Sequence, residues 1–293
     1  KTCALPILLA TARALAAGPD QFALRELPVD PHGVLRTDGV EQALADSRVG
    51  VLSAALVNNE TGAVQDIAAL AEAARAHGTL LHTDAVQAAG HVALPGSEGV
   101  DLMSLSGHKI GAPVGVGVLV ARPGVPFAPT STGGGQQRGV RSGTLDAAQA
   151  AAFAAALEEA LAEREQRSAE VRQLAARLRR GIAQIDPSVR FTLPEDSPQS
   201  GHILHLVLPG ADSDALLFLL DERGIDSSAG SACSAGVTQA SPVLAAMGVS
   251  DEDSRGALRL SLGWTSTERE VELLLAALPE ALQRARAVGS LRR

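Results

Sequence analysis

A lysine in the stretch SGHKIGAPVG is the first residue of this sequence that could do covalent chemistry. Lys109 lies just beyond the apolar run DLMSLS (101–106), at the end of a predicted buried strand, where an unpaired charge would be costly. Desolvation can free a lysine amine for Schiff-base chemistry, whereas a lone loop lysine is more often simply solvated. The residues around Lys109 in the sequence are therefore needed to distinguish these two interpretations.

The residues around Lys109 favour a bound cofactor. Ser106 and His108 flank it with hydroxyl and imidazole groups suited to a phosphate. Asp84 ends the preceding apolar run, and a carboxylate at a strand end is what a protonated pyridine nitrogen requires. Gln87, three residues further on, can reach a ring oxygen. Ligands of α/β folds bind at the ends of such strands.

A cysteine in the stretch SSAGSACSAG (227–236) is the second candidate for chemistry. The stretch contains only small residues without an apolar period, which predicts a surface loop. Cys233 is then either an exposed inert thiol or a nucleophile. The chain has 2 cysteines, Cys3 and Cys233, so neither a disulfide framework nor a CxxC zinc site is expected, and a cytoplasmic location is favoured.

Composition limits the class of protein. With 293 residues, 46% of them hydrophobic and only 2% aromatic, the chain predicts one or two domains with an aliphatic core. A net charge of -8 argues against a non-specific nucleic-acid binder, and no apolar run is long enough to predict a membrane helix. A small-molecule substrate is therefore expected.

Histidines raise the question of a metal site. The candidates are His82, His91, His202 and His205. They form no HExxH motif or tight sequence cluster, and single strand histidines are usually packing residues. We therefore predict no metal site.

Hydrophobic patterning predicts two units. Strands are predicted at 49–57, 79–85, 101–106 and 115–122, with a helix over 64–78 between the first two, which is typical of an α/β domain with a mainly parallel sheet. A Gly- and Pro-rich loop (123–143) and a long helical pattern (145–182), with a possible break near Gln166–Ser168, follow. The C-terminal part then predicts the order strand, helix, strand, helix, from segments that begin at 202, 213, 257 and 266. We assign residues 1–150 to a large cofactor-binding domain and 151–293 to the linking helix and a smaller α+β domain.

Five motifs in order give the chain a resemblance to a known family. The motifs are VNNETGAVQDI, HTDAVQAAG, DLMSLSGHKIGAPVGVGVL, GGGQQRGVRSGT and SSAGSAC. Together they resemble the cysteine desulfurases, which are class V aminotransferases with the fold type I of enzymes that use pyridoxal 5'-phosphate (PLP). The resemblance covers nearly everything from residue 20 to 288, and the five motifs in order make it specific.

The resemblance implies roles for residues around the PLP ring. Lys109 matches the lysine that binds PLP covalently and, when released, removes the α-proton of the substrate. Asp84 matches the partner of the pyridinium nitrogen, Gln87 the donor to the phenolic oxygen, and Asn59 a further cofactor contact.

It also implies phosphate, substrate and sulfur sites. Ser106 and His108 match phosphate ligands, and His108 also counts with Lys109 and Cys233 among the catalytic residues. Thr144 matches a phosphate ligand given to the neighbouring subunit, which implies a homodimer. Arg259 matches the clamp for the substrate carboxylate, because an Arg fork holds a carboxylate with two hydrogen bonds.

The activity implied is removal of sulfur from L-cysteine to give alanine and a persulfide on Cys233. That sulfur would pass to an iron–sulfur scaffold protein or a tRNA-thiolation enzyme. Two alternatives remain open: another fold type I PLP enzyme, such as a selenocysteine lyase or class V transaminase, and an inactive fragment that acts only by interaction.

The start of the chain departs from the family. The first seven residues, KTCALPI, do not resemble a natural N-terminus, and we expect them to be non-native. The family has a preceding segment with a phosphate-binding turn and a ring-stacking histidine. If the chain begins here, we expect weak PLP binding and exposed apolar surface.

Overall fold

The structure is a computed structural model that describes residues 6–18, 22–45, 49–96, 98–129, 131–230 and 241–291. Its strands are β1 (Val51–Ala55), β2 (Leu80–Asp84), β3 (Leu102–Ser106), β4 (Gly117–Ala121), β5 (Arg190–Phe191), β6 (Ile203–Val207) and β7 (Ala257–Ser261). Its helices are α1 (Pro6–Ala16), α2 (Thr37–Ala45), α3 (Ile67–Ala76), α4 (Ala147–Ala162), α5 (Arg164–Ile185), α6 (Ser213–Asp221), α7 (Pro242–Ala246), α8 (Asp251–Ser254) and α9 (Glu268–Leu291).

The first sheet has the strand order β1-β2-β3-β4. Strands β1, β2 and β3 run parallel, and β4 returns antiparallel to β3. Helix α3 forms the crossover from β1 to β2. It begins where the Asp66 side chain accepts a hydrogen bond from the Ala69 amide, and it ends at Ala76, two residues before Gly78, whose φ of 65° suits glycine. The α/β class with a mainly parallel sheet is confirmed.

The second sheet is antiparallel, with the order β5-β6-β7. Every residue of β6 is buried, because α5, α6 and α9 cover this unit with an aliphatic cluster. The sequence pattern did not reveal β5, since two residues are too few to show a period. It also did not reveal α1, α2, α7 or α8.

The long helical segment breaks earlier than predicted. Helix α4 ends and α5 begins at Glu163, which has non-helical dihedral angles. The predicted break at Gln166–Ser168 is wrong because Ser168 lies inside α5. Its buried hydroxyl donates to the carbonyl of His91. Because this bond satisfies the polar side chain, Ser168 can lie in the middle of a helix.

Strand β4 exposes apolar side chains. Leu119 and Val120 are both exposed, and Val114 projects from the loop just before the strand. Exposed neighbouring apolar residues favour an interaction surface over a solvated edge. Among the helices that the structure describes, none is long and apolar enough to cross a bilayer.

Two leucines of α9 test the importance of the aliphatic cluster that covers the second sheet. Leu278 is 0% exposed and Leu273 is 53% exposed. Leu278→Ala should lower the free energy of unfolding by about 2–5 kcal/mol, because it leaves a cavity in the aliphatic cluster. Leu273→Ala, the same change on the same helix, should alter it by less than about 0.5 kcal/mol. Urea denaturation measures both, and equal losses would contradict this packing.

Candidate active site

The candidate site lies at the carboxyl ends of the three parallel strands. In the register, Ala55 of β1 pairs with Asp84 of β2, and Asp84 pairs with Ser104 of β3. The chain leaves these strands into a buried turn that contains Asn59, into the segment after Asp84, and into a short 3-10 turn, Gly107–Lys109. The parallel register therefore brings Asn59, Asp84 and Lys109 to one edge of the sheet.

Asp84 is a buried carboxylate, with the residue 5% exposed. Its Oδ1 accepts a hydrogen bond of 2.9 Å from the amide of Val86, and the described residues give it no ion pair. Burial raises the pKa of Asp84, and the Val86 bond only partly opposes this. A protonated pyridine nitrogen would supply the missing positive partner. The residues present therefore fit PLP at this position.

Glycine at 107 is required by the geometry of the turn. A Cβ there would lie 2.6 Å from Val116 Cγ1 and 3.1 Å from Ala112 Cβ. The Gly107 amide donates to the Val116 carbonyl at 2.9 Å, and its carbonyl accepts from the Ala112 amide at 3.0 Å. Because the backbone packs this closely, the two residues that follow, His108 and Lys109, are directed away from the sheet.

Lys109 is exposed, so the expectation of a costly buried position is wrong. The strand ends at Ser106, and the 3-10 turn then carries Lys109 out of the sheet. His108 is exposed as well, and its Nδ1 lies 2.8 Å from the half-buried Ser106 Oγ. A hydroxyl and an imidazole are thus paired beside the lysine, as a phosphate site would need.

Arg259 joins the second sheet to this edge. It lies on β7 opposite His205 of β6 and is partly buried. Its Nη1 donates a hydrogen bond of 2.9 Å to the carbonyl of Asn59. Its backbone exchanges two hydrogen bonds with Ser228. A guanidinium suited to a carboxylate therefore lies against the turn that follows β1.

The other predicted site residues are placed as follows. Gln87 is half-buried in the turn segment after β2, and Thr144 is exposed in the loop before α4. Neither side chain forms a hydrogen bond with another described residue. Cys233 lies outside the described residues, so its predicted role stays a prediction.

Two of the histidines form hydrogen bonds to neighbouring hydroxyls. His82 is buried between Ser53 Oγ at 2.8 Å and Ser104 Oγ at 2.9 Å. His205 Nδ1 lies 2.6 Å from Thr192 Oγ1, and burial lowers the pKa of His205 to about 4. No group of three metal-binding side chains occurs in the described part of the chain.

His202 is a residue near the site that sequence reasoning considered only as a metal ligand. It is 5% exposed and stacks on His91 with ring centroids 3.6 Å apart. Its pKa is well below the usual value, mainly because of burial and also because of His91 and the positive charges of Lys109 and Arg259. A neutral imidazole therefore lies within the electrostatic reach of both cations.

Sequence reasoning also missed the neighbours of Asn59. Asn58 Oδ1 accepts hydrogen bonds from the amides of Glu60 and Thr61, and all three residues are buried. The one available signal was Glu60 itself, an acidic residue in a short link between two apolar segments. A sequence does not show whether such a carboxylate points to solvent or to the interior.

Comparison with known proteins agrees with this geometry. The family described as "Aminotransferase class-V" matches residues 10–274. An IscS-like cysteine desulfurase of Mycobacterium tuberculosis is 43% identical over 89% of this chain and 67% of its own length. The cysteine desulfurase IscS of Clostridium botulinum is 34% identical over 92% and 68%. A solved structure of a NifS-like protein, 30% identical, has a TM-score of 0.87 and covers 97% of this chain and 74% of that one.

The chain belongs to the class V aminotransferase family of PLP-dependent enzymes. The relatives assign it more closely, and its function is that of a cysteine desulfurase. That family implies cysteine as the substrate and proteins that accept sulfur. The chain spans about two thirds of the length of the two relatives.

Asp84→Asn separates cofactor binding from stability. It should lower PLP-dependent activity about 100-fold or more, because losing one partner of a buried ion pair costs about 3 kcal/mol. Without PLP, a raised carboxyl pKa means that stability falls as pH rises through the titration of Asp84. The variant should therefore have a higher melting temperature than the wild type at neutral pH. This difference in melting temperature should vanish at acidic pH.

Thermal unfolding of the PLP-free proteins from acidic to neutral pH measures this effect. Asp196→Asn, at an exposed carboxylate, is the matched control and should leave the pH dependence unchanged. An Asp84→Asn protein that is less stable than the wild type at neutral pH would contradict the assigned environment.

Gly107→Ala tests the close packing before Lys109. The added methyl must displace Val116, which should cost about 1–3 kcal/mol and weaken PLP binding by moving the turn. Gly50→Ala is the control, because a Cβ there meets nothing within 4 Å. Denaturation and PLP titration of both variants check this. Equal behaviour of the two would show that the turn tolerates a side chain.

Proposed function

We propose that this chain removes sulfur from L-cysteine at the edge formed by β1, β2 and β3, and that Cys233 receives the sulfur. The observation that carries the proposal is the buried carboxylate of Asp84 beside the Lys109 turn, with Arg259 reaching the same edge from the other sheet. A carboxylate for a ring nitrogen, an amine and a guanidinium are the groups that PLP chemistry on an amino acid needs.

PLP, when bound, supplies an electron sink for the pair left as the α C–H bond breaks. Asp84 would hold the ring nitrogen in its protonated form, and Gln87 and Asn59 would contact the ring. Ser106 and His108 would hold the phosphate, since their paired hydroxyl and imidazole lie beside Lys109. Lys109 would anchor the cofactor.

The residues of the chain then handle the substrate and its protons. Arg259 binds the substrate carboxylate, which orients the α-hydrogen toward the Lys109 amine. Lys109 accepts that proton as a general base. The Cys233 thiolate attacks the substrate sulfur, so that an S–S bond forms as the C–S bond breaks. Alanine, after gaining a proton, and a persulfide on Cys233 are the products, and no external oxidant is required.

We further propose that the chain acts as a homodimer. Thr144, the residue expected to serve a neighbouring subunit, is exposed on a loop, and Leu119 and Val120 form an exposed apolar pair on β4. These features support an interface between two copies. An iron–sulfur scaffold protein or a tRNA-thiolation enzyme is the proposed sulfur acceptor. A cytoplasmic location is proposed from the low cysteine count alone.

Two substitutions test the proposed function. With PLP added, the chain should show a cofactor absorbance band near about 400 nm that is lost in Lys109→Ala. Removing the general base should also lower alanine release by about 10²–10⁴-fold. Cys233→Ser should keep the band and lose the persulfide, which is measured by mass spectrometry of the protein after cysteine is added.

The outcomes of this experiment distinguish the alternatives. A Cys233→Ser protein that still releases sulfur as fast as the wild type would point to another PLP enzyme, such as a selenocysteine lyase. The absence of any Lys109-dependent band in the wild type would refute the proposal for this chain and favour a role by interaction only.

A further inference from the structure

Glu60 is a buried carboxylate for which the mechanism above has no use. It is 1% exposed in the turn that follows β1, where its amide donates to Asn58 Oδ1 at 2.9 Å. A second bond to Asn58 Oδ1 comes from the Thr61 amide at 3.0 Å. Two hydrogen bonds to the Asn58 side chain therefore stabilise the turn that carries Glu60.

The side chain of Glu60 is bonded to a residue that is 181 positions away. The Ser241 hydroxyl donates to Glu60 Oε2 at 2.5 Å. The same Ser241 oxygen accepts from the amides of Val243 and Leu244, each at 3.2 Å, and so caps α7. Because the helix amides occupy the acceptor side of the oxygen, its proton is directed to Glu60.

Glu60 also lies beside the chain that leads into the segment of Cys233. A Cβ built on Gly230 would lie 3.8 Å from Glu60 Oε2, at ordinary contact distance. Two residues earlier, Ser228 is tied to the backbone of Arg259 by hydrogen bonds of 3.2 and 2.5 Å. Gly230 and Ser241 are the described residues on either side of 231–240, and one carboxylate oxygen is close to both.

Charge links this carboxylate to the candidate site. Arg259 binds the carbonyl of Asn59, the residue directly before Glu60. Burial raises the pKa of Glu60, while the Ser241 hydroxyl and the positive charge of Arg259 oppose the rise. A carboxylate at this point costs solvation energy that a neutral side chain would not. The hydrogen bond from Ser241 and the nearby charge of Arg259 offset part of this cost.

We propose that Glu60 is a positioning residue for the sulfur-accepting step: by binding Ser241 and lying beside Gly230, it helps to place the two described ends of the segment that carries Cys233. The inference rests on the proposed function, because it concerns the transfer of sulfur to Cys233. A shift of about 1 Å in a reacting group can cost about 100-fold in rate. The positions of Gly230 and Ser241 should therefore affect the rate at which Cys233 takes up sulfur.

The principal test removes the bond from the side of Ser241. In the full chain with PLP, Ser241→Ala should slow persulfide formation on Cys233 about tenfold or more in a single turnover at saturating cysteine. The KM for cysteine should change by less than about twofold, because Arg259, Asp84 and Lys109 are untouched. The PLP absorbance band should stay the same for the same reason. Ser241→Thr keeps a hydroxyl and should restore the rate.

A matched variant separates this effect from the loss of a helix cap. Ser250 caps α8 by accepting from the Asp253 amide, and it is not bonded to Glu60. Ser250→Ala removes the same hydroxyl from the same kind of position and should leave persulfide formation near the wild-type rate. A rate for Ser241→Ala that equals that of Ser250→Ala or of the wild type would overturn the inference.

Amide hydrogen exchange supplies a reading that does not depend on turnover. Glu60→Asp keeps the charge but shortens the side chain, so exchange should speed up in peptides covering 241–247, although Ser241 is intact. Ser241→Ala should speed exchange at 228–230 on the other side of the segment. Protection as high as in the wild type at both places would overturn the inference.

The two proposals fail differently. A wild-type chain that releases no alanine from cysteine would refute the proposed function. The exchange measurement would still show whether Glu60 stabilises the residues on either side of 231–240. A wild type that forms the persulfide, together with a Ser241→Ala protein of equal rate, would refute the role of Glu60 and leave the desulfurase function intact.

Discussion

The hydrogen bond from Arg259 to the carbonyl of Asn59 is the contact on which the candidate site depends. It joins β7 of the antiparallel sheet to the turn after β1 of the parallel sheet, across 200 positions of sequence. A parallel sheet alone offers Asp84 and the Lys109 turn, which suit a cofactor ring. Only when Arg259 lies beside them can one edge of the molecule hold both PLP and the carboxylate of an amino acid.

Two buried carboxylates lie near this edge of the sheet. Asp84 and Glu60 are both removed from water, and burial raises the pKa of each. They differ in the partners that the protein provides. Glu60 has the Ser241 hydroxyl and the nearby charge of Arg259, whereas the described residues give Asp84 only the Val86 amide. The less satisfied carboxylate is the one expected to meet a cationic ring, which is consistent with a site built for a cofactor.

The structure changes the physical account of Lys109. Its position after an apolar strand suggested that burial made the charge costly. The lysine is instead exposed, because Gly107 packs tightly against Val116 and the chain turns outward at once. The steric requirement lies at the glycine, two residues before the lysine, and the pairing of Ser106 with His108 follows from the same turn.

The sequence by itself determined the α/β class, the four strands of the first sheet and the family, because apolar runs and ordered motifs are local features. It also indicated Asp84, Lys109 and Arg259. Tertiary structure alone decided which groups meet: Arg259 with Asn59, Glu60 with Ser241, and His202 stacked on His91. These contacts join residues 111 to 200 positions apart, and a local pattern carries no information on such pairs. The break at Glu163 was missed for a related reason, since Ser168 is satisfied by the carbonyl of distant His91.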